Sequence, residues 1–147
     1  MLRPVDQQDT RFLRDMLRHA YHWRMGDPDL PVYRYVKSWG RRGDAGLVAF
    51  DGPNAYAAAW YRLFPESAPG FGFVDEETPE LTIAVVPSHR GRGTGGELLE
   101  ALLAQARTDG FTRVSLSAEP GQTGFYEKHG FRELQRENGT VTMVADL

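Results

Sequence analysis

The chain has 147 residues, of which 41% are hydrophobic and 25% are charged, and these values are typical of one globular domain, which we expect to span residues 1–147. Its formal net charge of −3 argues against a nucleic-acid-binding protein, which would carry a basic excess. The absence of cysteine excludes disulfides, zinc–thiolate sites and a cysteine nucleophile. Because no N-terminal apolar segment could act as a signal or span a membrane, we expect a cytoplasmic protein without a membrane partner.

The N-terminal part of the chain predicts a strand and two helices. Leu2 to Val5 can form a short strand, and Asp9 can cap a helix whose apolar residues recur at helical spacing. That apolar face consists of Phe12, Leu13, Met16, Leu17, Ala20 and Tyr21. A turn-rich break, Gly26 to Pro31, precedes a weakly periodic short helix at Val32 to Trp39.

Two histidines, His19 and His22, lie at the end of the first predicted helix. Neither has a carboxylate at metal-ligand spacing, so we interpret both as structural or substrate-lining residues. We therefore expect no metal cofactor.

The middle of the chain predicts an antiparallel hairpin followed by a long loop. Leu47 to Phe50 and Tyr56 to Phe64 are strand candidates joined by a turn at residues 51–54, and so short a connection implies antiparallel pairing. The loop runs from Pro65 to Pro79 and ends in an acidic cluster, consisting of Asp75, Glu76, Glu77 and Glu80. This cluster can form an acidic mouth that suits a cationic amine, although a solvated acidic loop explains the charges equally well.

The most informative stretch is a strand, a glycine-rich turn and a helix. Leu81 to Val86 is an apolar run that Pro87 ends, and a helical pattern of leucines starts at Leu98. The turn between them contains Arg90, Gly91, Arg92, Gly93, Thr94, Gly95 and Gly96. Glycines let the backbone approach a ligand, the N–H groups of a helix N-terminus attract anions, and arginine donates in bidentate fashion to phosphoryl oxygens. The stretch therefore predicts a pyrophosphate-binding site.

The remainder of the chain predicts a strand, a short helix and a closing hairpin. Gly110 ends the central helix, and Val114 to Ser117 is a strand of the buried type. Thr123 can cap a short helix that carries Phe125 and Tyr126. The closing hairpin consists of Phe131 to Arg136, the turn Asn138-Gly139 and Thr140 to Ala145.

Two kinds of pyrophosphate ligand fit the glycine-rich turn. Residues 91–96 match G-x-G-x-x-G, and Glu119 lies after the next strand, where a nicotinamide or flavin dinucleotide site has an acidic residue. However, residues 87–90 separate the strand from the first glycine, and the chain has only one clear β-α-β unit where a dinucleotide fold needs several. A nicotinamide-dinucleotide-binding domain is therefore the less favoured alternative.

The second reading of the turn rests on a family resemblance. Arg90-x-x-Gly93-x-Gly95 resembles the acyl-CoA signature of the GNAT superfamily of N-acetyltransferases, (Q/R)-x-x-G-x-(G/A). The segment Phe125 to Phe131 is similar to the Phe-Tyr-x-x-x-Gly-Phe motif of that family, so the resemblance covers Glu80 to the C-terminus. It implies an α/β (α+β) fold with a central mixed sheet of about six to seven strands, antiparallel in its N-terminal half, with parallel, splayed fourth and fifth strands and about four helices.

The resemblance also implies transfer of an acetyl group from acetyl-CoA to a primary amine by direct attack. In the family the pantetheine arm bonds to the backbone of the fourth strand, here Ile83, Ala84 and Val85, and the diphosphate binds the glycine-rich turn. Glu119 takes the place of an asparagine that touches the pantetheine in many members. Without a cysteine or a Gly-x-Ser-x-Gly elbow, a covalent acyl-enzyme is not expected.

Direct transfer needs a neutral amine, a polarised thioester carbonyl and a proton for the departing thiolate. Glu80 lies at the start of the fourth strand, where family members often carry a catalytic glutamate, and is the predicted base, acting through a water. Tyr126 is the predicted acid and a cofactor contact, because a neutral phenol can protonate a thiolate. The backbone N–H of Val85 can polarise the carbonyl, and Glu119 is a second candidate base.

One further alternative, and the acceptor itself, stay open at this point. A non-catalytic acyl-CoA-binding module would keep the phosphate contacts without the chemistry. The acceptor is an amine of a small molecule or a peptide that the sequence does not identify, and we expect a monomer or a homodimer. The aromatic residues that could line the acceptor site are Tyr21, Trp23, Tyr33, Trp60 and Phe71.

Overall fold

The computed structural model describes residues 1–22, 32–137 and 139–147. Its strands are β1 (Leu2–Pro4), β2 (Ala45–Asp51), β3 (Asn54–Arg62), β4 (Glu80–Val85), β5 (Arg113–Ala118), β6 (Arg132–Glu137) and β7 (Thr140–Asp146). Its α-helices are α1 (Thr10–Ala20), α2 (Thr94–Thr108) and α3 (Thr123–Glu127). The predicted break at Gly26 to Pro31, Trp23, and Asn138 of the predicted hairpin turn lie outside the described residues.

One seven-stranded sheet, in the order β1-β2-β3-β4-β5-β7-β6, organises the described chain. Neighbouring strands are antiparallel except β4 and β5, which are parallel. This parallel pair meets at a single bridge, Glu80 opposite Ser115, within the described residues, so the two strands part beyond it. The predicted mixed sheet with an antiparallel first half and splayed fourth and fifth strands is confirmed. The described strands do not form the doubly wound parallel sheet of the dinucleotide alternative.

Helices cover both faces of the sheet. The α2 cluster, on one face, contains the buried hydrophobic side chains of α2, which are Leu98, Leu99, Leu102, Leu103 and Ala106. The α1 cluster, on the other face, contains Leu13, Met16 and Leu17 of α1. Strand β3 serves both, because successive side chains point to opposite faces: Ala59 joins the α2 cluster and Trp60 the α1 cluster. The cleft between β4 and β5 thus lies between two packed layers.

The start of α1 differs from the predicted cap. The carboxylate of Asp9 does not cap α1, because it accepts the N–H of Asp6 and pairs with the Arg3 guanidinium at 2.7 Å. The capping carboxylate is that of Asp6, which accepts the N–H of Gln8, since a 3-10 turn at Gln7–Asp9 begins the helical path before α1. The hydrogen bond from Arg3 lowers the pKa of Asp9.

Two short helical predictions need a similar adjustment. The segment predicted as a helix from Val32 to Trp39 forms a 3-10 turn at Val32–Tyr35 followed by non-helical turns. Thr123 is the first residue of α3 and makes no capping bond, because a 3-10 turn at Pro120–Gln122 leads directly into that helix. The described residues therefore form three α-helices where about four were expected.

Candidate active site

A cavity of about 510 Å³ opens where β4 and β5 part. Its walls come from the end of β4, the glycine-rich turn, the start of α2, the end of β5, α3 and the C-terminal end of α1. The predicted site residues that line it are Ile83, Ala84, Val85, Arg90, Gly91, Gly93, Thr94, Gly95, Gly96, Glu119 and Tyr126. Two others do not: Arg92 is exposed beside the cavity lining, and Glu80 is buried.

The backbone of β4 presents alternate residues to the cleft. The N–H of Val86 donates to the C=O of Tyr56 at 2.9 Å, and the antiparallel register then directs the backbone polar groups of Ala84 towards β3 as well. Those of Ile83 and Val85 point to the opposite side, where β5 has already diverged. The backbone groups of Ile83 and Val85 therefore face the side from which a ligand can approach. Ala84 lines the cavity but directs its backbone polar groups to β3.

The glycine-rich turn leaves open space in front of α2. Gly91 and Gly93 both have a φ of +79°, which L side chains rarely adopt, and a β-carbon at either position would meet no atom within 4 Å. Gly93 is the N-cap of α2, a helix of 15 residues, so the first unpaired N–H groups and the positive end of the helix dipole lie at this space. The turn and the N-terminus of α2 thus border an open space, the glycine cradle, which an anion can enter.

The two arginines of the turn have different surroundings. The Nε–H of Arg90 donates to the C=O of Val85 at 3.0 Å, which ties the turn to β4 and holds the guanidinium at the cavity wall. Arg92 is exposed and does not line the cavity, so its predicted contact with phosphate stays a prediction.

Tyr126 is held in the cavity wall by aromatic packing. Its ring lies edge-on to Phe125, with centroids 5.1 Å apart, and to Phe131 at 5.9 Å. The backbone C=O of Tyr126 accepts the N–H groups of His129 and Phe131, which fixes the end of α3. Burial raises the pKa of Tyr126 to about 12, so the phenol keeps its proton at neutral pH and can act as a donor.

Glu80 lies in a buried polar group outside the cavity lining. Its carboxyl accepts the hydroxyl of Tyr35 and the N–H of Gly72, the latter at 3.0 Å, and the residue is 1% exposed. Burial raises the pKa of Glu80 to about 8. The ring of Tyr35 packs on Tyr21 at 5.1 Å, and the Tyr21 hydroxyl is hydrogen-bonded to Thr82. As a base, Glu80 would have to act through these phenols.

Glu80 is expected to make the stability of the protein fall as the pH rises. A carboxyl with a raised pKa keeps, when folded, a proton that the unfolded chain gives up, so its stabilising effect is lost between the ordinary carboxyl range and about pH 8. We expect the melting temperature to fall from about pH 5 to about pH 9, and Glu80→Gln to flatten that fall because glutamine does not ionise. Calorimetry on both proteins measures the slopes. The exposed control Glu77→Gln should keep the wild-type slope, and a wild-type slope in Glu80→Gln would contradict the prediction.

Glu119 faces His22 in the wall of the cavity. Glu119 directly follows β5 and His22 lies just beyond α1, and both side chains line the cavity. The distance from His22 Nε2 to Glu119 Oε2 is 3.6 Å. Sequence reasoning considered each residue separately but missed the pair, because they are distant in the chain. The available signals were an acidic residue at a strand end and a histidine at a helix end.

The acidic cluster of the long loop does not form a mouth to this cavity. Asp75 pairs with Arg113 at 2.5 Å. Glu76 accepts the backbone N–H of Glu66 at 2.8 Å, and Glu80 is buried. The cavity lining contains none of the four acidic residues, and Asp75 and Glu76 have local partners instead.

The aromatic residues predicted to line an acceptor site also lie outside the cavity lining, as far as they are described. Tyr21 and Trp60 are buried in the α1 cluster, and Phe71 packs against it. Tyr33 is 58% exposed and lies near the Arg14 guanidinium, whereas Trp23 is outside the described residues.

Comparison with protein families gives one clear match. The model of the acetyltransferase (GNAT) family matches residues 10–131. The uncharacterized N-acetyltransferase YjcF of Bacillus subtilis (strain 168) is 31% identical over 91 residues, which are 62% of this chain and 58% of that protein. The match therefore spans little more than half the length of that relative.

Solved structures of similar fold extend over the whole chain. The GNAT domain of PAT from S. lividans has a TM-score of 0.71 at 22% identity, covering 99% of this chain and 89% of that one. A GNAT family acetyltransferase from Elizabethkingia anophelis with acetyl-CoA bound has a TM-score of 0.70 at 19% identity, covering 100% and 97%. The PaiA N-acetyltransferase of Thermoplasma acidophilum in complex with coenzyme A has a TM-score of 0.68 at 15% identity, covering 100% and 98%. These likenesses establish the fold.

Membrane-spanning helices and clusters of metal ligands are both absent from the described residues. No described helix combines the length and apolarity needed to span a bilayer. No group of three or more histidine, cysteine, aspartate or glutamate residues in the described ranges is placed to hold a metal ion.

Proposed function

This chain belongs to the acetyltransferase (GNAT) family, and from that premise we propose that it moves an acetyl group from acetyl-CoA to a primary amine by direct attack. The observation that carries the proposal is the cavity between β4 and β5, where an open glycine cradle, strand backbone that β5 leaves uncovered and a protonated phenol meet. Each of these features answers one requirement of the reaction: binding the diphosphate, binding the pantetheine arm and protonating the thiolate.

We assign the diphosphate to the N-terminus of α2. A β-carbon on Gly91 or Gly93 would have no other protein atom within 4 Å, so the space in front of both residues is open. The helix dipole favours an anion there. Arg90 adds positive charge at the same wall. The site thus combines backbone donors, a dipole and a guanidinium, which is the donor set that phosphoryl oxygens require.

We assign the pantetheine arm to the cleft side of β4. Ile83 and Val85 direct backbone donors and acceptors into the space that β5 leaves open, so an extended arm can bond there as an added strand would. The N–H of Val85 is then placed to polarise the thioester carbonyl as its oxygen gains charge. Acetyl-CoA supplies a thioester carbonyl that an amine can attack.

We assign the general acid to Tyr126. The phenol lines the cavity and keeps its proton at neutral pH, so it can donate to the sulfur as the thiolate departs. The base has two candidates. Glu80 is sealed and could act only through Tyr35 and Tyr21, whereas Glu119 reaches the cavity directly.

The proposal predicts that acetyl-CoA stabilises the protein and that an amine accelerates thiol release. Acetyl-CoA at about 100 times its Kd should stabilise the fold by about 2.7 kcal/mol, which a thermal shift assay detects. Free thiol is then measured with spermidine, glucosamine, a peptide with a free N-terminus and a lysine-containing peptide. At least one of these amines should raise thiol release well above the rate of hydrolysis.

The same measurements separate the alternatives. Stabilisation by acetyl-CoA without turnover of any amine would favour a non-catalytic acyl-CoA-binding module. A thermal shift with NAD but not with acetyl-CoA would favour the dinucleotide alternative and contradict the proposal.

A further inference from the structure

We propose that His22 and Glu119 form the acceptor site: the Glu119 carboxylate binds the substrate as an ammonium ion, and the His22 imidazole takes its proton. This assignment rests on the proposed acetyl transfer and names both the acceptor class, an aliphatic primary amine, and the face of the sheet from which it arrives.

The two side chains converge from separate elements. His22 follows the C-terminal end of α1, and Glu119 follows the C-terminal end of β5. Their 3.6 Å separation, Nε2 to Oε2, is too long for a direct hydrogen bond, so both atoms keep capacity for a third polar group. The side chains are 60% and 36% exposed, which gives a proton taken there a path to bulk water.

The pair lies on the face of the sheet opposite the glycine cradle. The α1 helix packs in the α1 cluster and α2 packs in the α2 cluster, and the cavity has lining residues from the end of α1 and the start of α2. A cofactor bound at α2 therefore enters from one face, and the face of α1 is left for the acceptor. Tyr126 packs against the α2 cluster and lines the same cavity as the pair, so its phenol and the pair face one space.

The charges around the pair suit a cation. The C-terminal end of α1 carries the negative end of the helix dipole, and Glu119 adds a full negative charge to the same wall. The other titratable groups that line the cavity are His19 from α1, Tyr126 from α3, and His89 and Arg90 from the turn that precedes α2. The Oγ of Ser117, also in the lining, is buried without a hydrogen-bond partner among the described residues, so it can accept a further N–H.

Glu80 does not compete well for this role. Both of its carboxyl oxygens already have hydrogen-bond partners, one with Tyr35 and one with Gly72, and the residue is 1% exposed. The loop carrying Gly72 packs closely on β5, where a β-carbon on that glycine would come within 2.6 Å of the Leu116 backbone, so an ammonium ion has no open path to Glu80 from that side. The Glu119–His22 pair, by contrast, lines the cavity.

The proton balance is complete with these groups. An alkylamine arrives as R–NH₃⁺ and gives one proton to His22, which passes it to water. The nitrogen lone pair then forms the N–C bond while the C–S bond of the thioester breaks. The sulfur takes the phenolic proton of Tyr126, and the second nitrogen proton returns to Tyr126, so the products are the amide, the free thiol and one released proton.

The test compares Glu119→Gln and His22→Ala with Glu80→Gln, using spermidine and hydroxylamine as acceptors. Spermidine must lose a proton before attack, whereas hydroxylamine is already neutral at pH 7. We expect each cavity variant to lower kcat/KM for spermidine about 10- to 50-fold, and the double variant to lose no more than either single variant. The rate with hydroxylamine, corrected for the uncatalysed reaction, should change by less than about 3-fold. Added imidazole should restore part of the activity of His22→Ala.

Binding gives a readout that does not depend on turnover. Calorimetric titration of spermidine into the protein holding CoA should show weaker binding in Glu119→Gln, because the counter-charge of the ammonium ion is lost. The matched control is Glu100→Gln, which removes the exposed carboxylate of another glutamate–histidine pair, Glu100 with the partly buried His129 at 3.4 Å, outside the cavity lining. It should behave as wild type in every assay.

Each other outcome overturns the assignment. If the wild type turns over spermidine and both cavity variants match it, the acetyltransferase proposal stands and the pair is not the base. Equal losses with spermidine and hydroxylamine would mean that the pair only supports the fold. A loss confined to Glu80→Gln would assign the base to the sealed carboxyl. A wild type that acetylates none of the amines removes the proposed function and this assignment together.

Discussion

Gly93→Val is expected to reduce the affinity for CoA by at least about 100-fold, or about 2.7 kcal/mol. Gly93 has a φ of +79° and caps α2 in the wall of the cavity, and a β-carbon there would point into space free of protein atoms within 4 Å. The branched valine side chain would occupy the space that we assign to the diphosphate and would strain the backbone that presents the first N–H groups of α2. Calorimetric titration with CoA measures the loss.

The control for this variant separates backbone strain from the blocked site. Gly110 has a φ of +89°, also faces open space, and lies at the opposite end of α2 from the cavity. Gly110→Val should therefore lower the melting temperature to a similar extent while CoA affinity stays at the wild-type value. Unchanged CoA affinity in Gly93→Val would refute the assignment of the diphosphate to this turn.

Tyr126→Phe is expected to lower kcat by about 100- to 1,000-fold without weakening CoA binding. The substitution removes the hydroxyl but keeps the ring that packs against Phe125 and Phe131. Because burial raises the pKa of Tyr126 to about 12, the wild type should lose no activity through ionisation of this phenol below about pH 10. Steady-state kinetics across the pH range, with CoA titrations on both proteins, provide the measurement.

A second phenol serves as the control for Tyr126. Tyr61 is buried in the α2 cluster, packs edge-on to Phe111 and donates its hydroxyl to Asp109, outside the cavity lining. Tyr61→Phe should lower the melting temperature and keep the wild-type kcat. If Tyr126→Phe also kept the wild-type kcat, the acid would have to be another group or water.

The features that the sequence predicted well are local ones. The end of β4, the glycine-rich turn and the start of α2 depend on residues within one short stretch, where proline ends a strand and glycines allow positive φ at Gly91 and Gly93. The long apolar periodicity of α2 similarly predicted its buried face. Less regular segments, such as Val32 to Trp39, were predicted less accurately because neither periodicity nor a cap marked their ends.

The burial of Glu80, one of the two candidate bases, could not be predicted from neighbouring residues in the sequence. From the sequence, Glu80 is a strand-end glutamate with acidic neighbours, and nothing nearby in the chain signals its burial. Its surroundings come from Tyr35, far earlier in the chain, and from Gly72, in a loop that folds back over β5. The approach of His22 to Glu119 is likewise a product of packing α1 against the sheet.

By itself, the sequence determined the strand–turn–helix that borders the glycine cradle, the phenol in its matched motif and the mixed sheet that the resemblance implied. These follow from backbone conformations and side-chain periods set by neighbouring residues. Only the tertiary structure decided which acidic groups reach the cavity, since that depends on which distant segments cover a carboxylate and which leave it open to water. Desolvation of a carboxyl group depends on what covers it in the folded protein. The two glutamates therefore differ: Glu80 is buried among protein groups, whereas Glu119 lines the cavity.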